Sequence, residues 1–377
     1  AQAAKEAAAT QADTEAAMKA AVAIAALPEA ANTTAYDRDQ VDSAKAAYDA
    51  LTATQKELIS LDSQAKLQAV YDAAYAAKFN NTITATAKNL SMTYQTSAKT
   101  FANPLTVKSA QGAVTYSKAS GSANFTVNAT TGKVTAKKGT AAGSYTIQIK
   151  ASAAGAGEYA AGSVTKSVTV TVAKAANTLN AKVVKATQKA KYGKKATIAA
   201  KKAFKVTTNT SKGKVTYKKT KGNAKIAVSS AGKVTVKKGL KAGTYTVKVK
   251  ATSKATTNYK SASKVLTFKV KVAKAANTLK VKAAKATQTA KYGKKTALAA
   301  SKAFKVTKNV SKGKITYKLT KVSAKAKGKI TVSKAGKVVV KKGLAKGTHT
   351  VKVSATSKAT KNYKSKTTSV TFKVKCK

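Results

Sequence analysis

Tryptophan is missing from the 377 residues. Cysteine, histidine and arginine occur once each, at Cys376, His349 and Arg38, and proline only at Pro28 and Pro104. One cysteine cannot close an internal disulfide, so the fold must rest on its core. One cysteine and one histidine do not make a zinc site. No stretch approaches the ~18 uninterrupted apolar residues of a membrane span; the best run, residues 20–27, is short and Ala-rich, so no membrane insertion is expected. Carboxylates are the most unevenly withheld group. There are 12, and none lies beyond Glu158. Paired-carboxylate catalysis and calcium binding both need several carboxylates, so residues 159–377 are excluded from both. The expectation is a non-enzymatic protein with no cofactor and no metal.

Positive charge is abundant instead. Lys and Arg number 73, and the net charge is +61. Residues 1–78 hold seven basic and eleven acidic residues, a net of −4, whereas residues 173–377 hold 57 Lys and no acid. Residues 79–172 lie between, with nine basic residues and one acid. An apolar fraction of 43% is enough to build cores, so the charge decorates a folded chain.

The first 78 residues read as a small helical bundle. An Ala-rich helix stops near Pro28, and a second opens near Asp39 with Val41, Ala44, Tyr48 and Leu51 on one stripe. Thr52 with Gln55, and Thr54 with Glu57, fit capping-box spacing. A last helix after Ser63 aligns Leu67, Val70, Tyr71 and Ala74. The acids Asp37, Asp39, Asp42 and Asp49 read as caps and solvated positions.

From Asn80 the period changes to two. Tyr245, Val247 and Val249 alternate with Thr246, Lys248 and Lys250, and Leu266, Phe268, Val270 and Val272 alternate with Thr267, Lys269 and Lys271. That is the pattern of half-buried antiparallel strands, broken by Gly-containing turns. The chain then repeats itself: Ala190-Lys-Tyr-Gly-Lys-Lys195 returns at 290–295, and Lys202-Ala-Phe-Lys-Val-Thr207 at 302–307. After Lys318 the offset rises from 100 to 104, an insertion of four residues in one loop. A more diverged copy precedes both, with Gly132-Lys-Val134 and Ser144-Tyr-Thr-Ile147. The expected organisation is therefore a helical head, 1–78, and three all-β modules, 79–172, 173–272 and 273–377, each near the size of a seven-strand sandwich.

The run Gly232-Lys-Val-Thr-Val-Lys-Lys-Gly-Leu-Lys-Ala-Gly-Thr-Tyr-Thr-Val-Lys-Val-Lys-Ala251 resembles the bacterial immunoglobulin-like tandem repeats of Gram-positive cell-surface proteins. The head, in Val41 to Leu58, resembles the small helical segments that accompany such repeats. The resemblance implies Greek-key Ig-like sandwiches in an extracellular or cell-surface protein that serves as stalk, fibre, filament subunit or adhesive spacer. It implies no ligand.

Three groups of residues are candidates for special roles. Tyr145, Tyr245 and His349 share one repeat position, which suits a tyrosine corner in which His349 substitutes for the aromatic. Cys376 aligns with Val272, an inward strand position, and reads either as a small packing residue or as a thiol that links two chains. Lys248, Lys250, Lys269, Lys271, Lys352, Lys373 and Lys375 point away from the core and form a candidate polyanion face. Its partners would be teichoic-acid-like polymers, acidic glycans or, non-specifically, nucleic acid. Sequence-specific nucleic-acid binding is not expected, because Arg is almost absent and the aromatics fall on apolar positions. Passive solvation by edge and face lysines stands beside that reading. Self-association, the −4 head of one chain against a basic β-module of another, is also expected.

Overall fold

The computed structural model describes residues 2–377, which fold as two compact units, Ala1–Ala175 and Ala176–Lys377. The first unit opens with four helices, α1 (Gln2–Ala25), α2 (Arg38–Asp49), α3 (Ala53–Glu57) and α4 (Leu61–Ala76). Helix α1 ends three residues before Pro28. Ile24, Val41, Ala44, Leu67, Val70 and Ala74 are buried and pack together, which places the expected apolar stripes in one small core. Thr52 and Gln55 form the expected capping box, with the Thr52 amide donating to Gln55 Oε1 at 2.9 Å. The alternative box at Thr54 does not form, because Thr54 lies inside α3. A second box, Thr34 with Asp37, was not anticipated, and α4 starts earlier than expected because Ser60 caps it by accepting from the Ser63 amide.

The rest of the first unit is a β-sandwich-like module: β1 (Thr84–Ala87), β2 (Leu90–Thr93), β3 (Lys99–Phe101), β4 (Leu105–Lys108), β5 (Val114–Gly121), β6 (Phe125–Val127), β7 (Val134–Ala136), β8 (Gly143–Ala153) and β9 (Gly162–Ala173). The strands pair as β2-β9-β8-β5, β3-β7-β6 and β1-β4.

The second unit repeats this plan twice. Its first module holds β10 (Leu179–Val183), β11 (Thr187–Lys191), β12 (Ala196–Ile198), the one-turn α5 (Ala200–Ala203), β13 (Phe204–Asn209), β14 (Val215–Lys221), β15 (Ile226–Val228), β16 (Val234–Val236), β17 (Gly243–Ser253) and β18 (Ala262–Ala273). The second holds β19 (Leu279–Ala283), β20 (Thr287–Ala290), β21 (Thr296–Leu298), α6 (Ala300–Ala303), β22 (Phe304–Asn309), β23 (Ile315–Val322), β24 (Ile330–Val332), β25 (Val338–Val340), β26 (Gly347–Ser357) and β27 (Lys366–Cys376). Their four-stranded sheets are β11-β18-β17-β14 and β20-β27-β26-β23. The chain is thus a helical segment followed by three repeated β-sandwich-like units.

Two features differ from the sequence reading. Each module has nine strands where seven were expected, because two strands are interrupted. The breaks lie at 88–89 and 102–104 in the first module, at 184–186 and 199–203 in the second and at 284–286 and 299–303 in the third, the later break of the last two holding a helical turn. The pairing is also not wholly antiparallel: β2 runs parallel to β9, β11 to β18 and β20 to β27. After its break the first strand crosses to the other sheet and lies beside the last strand in the same direction.

The cores follow the period-two pattern. Ile147, Ile149, Val168 and Val170 in the first module become Val247, Val249, Phe268 and Val270 in the second and Val351, Val353, Phe372 and Val374 in the third, all buried. Each such side chain contributes roughly 1.5–3 kcal/mol of burial. The inserted residues of the third module form a 3-10 turn, Ala324–Ala326, that follows β23. Register places the insertion slightly later than the sequence did, since Lys321 pairs with Lys352 as Lys221 does with Lys248.

Candidate functional site: module joints and the lysine sheet

Tyr145 Oη donates to the Ala141 carbonyl at 2.9 Å and Tyr245 Oη to the Lys241 carbonyl at 2.8 Å, each reaching four residues back to hold the turn before the late strand. His349 is 3% exposed and its Nε2 lies 2.9 Å from the Ala345 carbonyl, the same contact made by a shorter ring. The three residues therefore act on the same turn of their own module.

Cys376 does not behave as a linking thiol. It is 4% exposed, packs in the third core and directs Sγ toward the Leu344 carbonyl at 3.5 Å. A thiol on the inward side of β27 cannot reach a second chain, so the intermolecular reading gives way to the packing one.

A set of residues that the sequence reading passed over closes each β-module near its start. Asn177 Oδ1 accepts from the Ser211 amide at 3.0 Å, and Asn209 Oδ1 accepts from Asn177 Nδ2 at 3.1 Å and from the buried Ser253 hydroxyl at 2.9 Å. Asn277, Asn309, Ser311 and Ser357 reproduce the network. Asn81 performs the simpler version in the first module by exchanging two hydrogen bonds with the Gln111 backbone. Asn177 lies in the run Ala175-Ala-Asn-Thr-Leu179, which returns at 275–279, and the Asn of that run is the clamp.

The head is fastened to the first sandwich by two residues that are each singular in the sequence. Arg38 is the chain's one Arg, and Glu158 the one acid beyond the head. Arg38 Nη1 meets Glu158 Oε1 at 2.6 Å, while Nε and Nη2 donate to the carbonyls of Ala74 and Ala77. The guanidinium also covers the rings of Tyr75 and Phe79, at 4.9 and 5.0 Å from their centroids. Phe79 joins the strand side by exchanging backbone hydrogen bonds with Glu158 and Ala160. Asp42 accepts a hydrogen bond from the Tyr75 hydroxyl and pushes its pKa up to about 12.

Within the second unit the joint between sandwiches uses the same loop. Asn362, at the repeat position of Glu158, accepts from the Ala242 amide through Oδ1 at 3.0 Å. The neighbouring Tyr363 packs edge-on to Tyr192 at 5.4 Å. Ala275, in the connecting segment, exchanges backbone hydrogen bonds with Asn362 and Lys364.

The candidate polyanion residues are all exposed on one sheet of their module. Lys248 and Lys250 lie on β17, Lys269 and Lys271 on β18, Lys352 on β26, and Lys373 and Lys375 on β27. Register adds Lys218 directly across from Lys250, Lys221 across from Lys248, and Lys189 across from Lys271. Lys269 stands between Thr187 and Thr246, and Lys373 between Thr287 and Thr350. Among the described residues no three His, Cys, Asp or Glu side chains converge, and no helix is long and apolar enough to cross a membrane.

No protein-family model matches the chain, and neither does any curated protein. Solved structures similar to it include the EC22–24 repeats of mouse cadherin-23, at 14% identity and a TM-score of 0.35, covering 79% of this chain and all of that one. Drosophila N-cadherin EC1–4 is 17% identical with a TM-score of 0.31, covering 79% and 76%. The human desmocollin-1 ectodomain is 12% identical with a TM-score of 0.30, covering 79% and 62%. These are strings of extracellular β-sandwich repeats, and superposition at this level says nothing of what the chain does.

Proposed function

We propose that the chain is a non-enzymatic structural protein of a bacterial cell surface or extracellular space, a spacer built as a helical head (1–78) and three Ig-like sandwiches (79–172, 173–272 and 273–377). One observation carries this reading. Within each unit, neighbouring modules meet around one recurrent loop and not through a bare linker: Arg38 pairs with Glu158 and Tyr36 packs on Phe79 in the first, and Asn362 accepts from Ala242 while Tyr363 packs on Tyr192 in the second. Such joints fix orientation, which a spacer needs and a solution enzyme does not. The Ig-like assignment is supported by strand order. With β3 and β4 counted as one interrupted strand, β1-β4/β3-β7-β6 faces β2-β9-β8-β5, matching the two sheets of an immunoglobulin sandwich.

Self-association fits the same reading, with the −4 head of one chain attracted to the basic modules of another. Sedimentation velocity of the intact chain at low and high salt is the test. An extended monomer at high salt, with weak assembly at low salt, is the expected result. A compact monomer at both salts would overturn the spacer, and assembly indifferent to salt would overturn the charge-driven contact. A second role, binding of an anionic polymer, is favoured by the concentration of lysine on the four-stranded sheet of the second sandwich.

A further inference from the structure

We propose that the outer face of the four-stranded sheet in the second sandwich is a docking surface for a linear polyphosphodiester that carries no aromatic bases. The inference rests on the polymer-binding reading and supplies its ligand class; it does not depend on the spacer role.

Lysine is concentrated on this sheet, whose strands turn Lys189, Lys218, Lys221, Lys248, Lys250, Lys269 and Lys271 outward. On the opposite sheet the outward row of β12-β16-β15 is Thr197, Thr235 and Ala227, and the strands carry lysine only on the β10-β13 pair, as Lys182 opposite Lys205. Lysine serving only to keep a sandwich soluble would coat both sheets alike. The first sandwich provides an internal control. At the register of Lys248, Lys269 and Lys271 it carries Gln148, Thr169 and Thr171, and at that of Lys218 and Lys221 it carries Ser117 and Ser120. Lys250 alone has a counterpart there, Lys150, so the fold does not require the others.

They also cost stability. Lys218 opposite Lys250, Lys221 opposite Lys248 and Lys189 opposite Lys271 are like charges placed directly across strands, which is destabilising. No side-chain carboxylate exists in residues 173–377 to offset them. The compensating negative charge must come from outside the module.

The layout specifies what kind of anion. Successive outward lysines on a strand are about 6.6 Å apart and neighbouring strands about 4.8 Å apart. Hydroxyl donors stand beside ammonium groups, on both sides in Thr187-Lys269-Thr246 and on one side in Lys189-Lys271-Thr244. A phosphodiester has one charge and two non-bridging oxygens, so it can accept from a lysine and from the adjacent threonine at once, and a flexible chain can follow the strand to the next pair. A carboxylate on a rigid sugar ring, spaced by whole disaccharides, would leave alternate lysines unanswered. No aromatic side chain occupies the outward register of this sheet, so bases would find no stacking platform. The acidic head of a second copy is a poorer occupant. Asp37 is held by Thr34, Asp42 by Tyr75, Asp49 by Lys45 and Glu29 by Lys66.

The test uses the intact chain and poly(glycerol phosphate), with binding measured by calorimetry across a range of salt. In the variant Lys248→Gln/Lys269→Thr/Lys271→Thr, each lysine takes the first sandwich's own residue. Affinity should fall about tenfold or more, and the slope of log K against log salt should become shallower by about two. The control Lys237→Gln/Lys238→Gln/Lys241→Gln removes the same charge from an exposed turn and should keep most of the affinity. Equal losses in the two variants would overturn the face, as would no loss in either. Lys248→Arg/Lys269→Arg must retain binding, and thermal melts of all variants should match or exceed that of the parent. Heparin, polyglutamate and oligothymidine of matched charge should bind more weakly; tighter binding by any of them would overturn the assignment of the ligand.

Discussion

At position 148 the first sandwich carries Gln, at 248 the second carries Lys, and both side chains leave the outward register of the same strand in the same sheet. Beneath them the cores barely differ, Ile147 and Ile149 in one, Val247 and Val249 in the other, all buried. The two modules separate what the backbone plan demands from what the surface is free to vary. Inward positions stay apolar because each carries a large share of a marginal stability. Outward positions differ: Lys218, Lys221, Lys248, Lys269 and Lys271 stand where the first module has hydroxyls and an amide, and only Lys250 is matched, by Lys150, with no change in pairing. Such a difference calls for an explanation outside folding.

The comparison can be pressed from the inside first. Val168 and Phe268 hold the same buried register in β9 and β18. Phe268→Ala should cost about 3–5 kcal/mol, and Val168→Ala distinctly less, in chemical denaturation of the intact chain. Similar costs would mean that the two cores are not built alike.

The next largest contrast is in acid. Asp37 is held below the ordinary carboxylate range by hydrogen bonds from Thr34, so its contribution is present above the unfolded pKa and is lost as pH falls through the lowered folded value. Residues 173–377 have no side-chain carboxylate to protonate. Titration below about pH 4 should therefore remove the helical circular dichroism while leaving the strand signal of the second unit. In alkali the order of loss is different. Tyr75, raised to about 12 by Asp42, and Tyr217 and Tyr317, raised by burial, all contribute below the unfolded pKa of 10 and lose that contribution as pH climbs through their folded values. Both units should then weaken above pH 10. Simultaneous loss of helix and strand in acid would break the distinction between them.

The smallest effect concerns the face itself. Lys218→Ser, which gives β14 the residue of β5, should stabilise the second sandwich by about 0.2–1 kcal/mol by relieving Lys250, and the gain should shrink as salt is raised. A destabilised variant would mean that the lysines support the sheet and do not burden it.

Much of this architecture was legible because it is periodic. Alternation of Val247 and Lys248 gives the strand and its buried face, and an offset of 100 gives the repeat. The tyrosine position was legible too, and the register of β26 explains how His349 can replace it. What stayed hidden depends on contacts between distant residues. Arg38 and Glu158 each stand out by rarity, yet nothing local joins residues 120 positions apart. Asn177 was visible as part of a motif, but its value lies in meeting Ser211 and Asn209 across a turn. The parallel partner of β9 was obscured because the first strand breaks at two polar residues and changes sheets, a step that leaves no mark in period two. The lysine face was legible strand by strand, and only register revealed that lysines confront lysines across it.

The parallel alignment of first and last strands also has a mechanical consequence. In the second sandwich Thr187 to Lys191 lies beside Lys269 to Ala273 in the same direction. Tension on the chain at these two strands pulls them oppositely along their shared axis. Their hydrogen bonds are then loaded together, in shear, and cannot be peeled one at a time. The second sandwich, whose parallel ladder is one residue pair longer than those of its neighbours, is the module that should yield last under a steady pull.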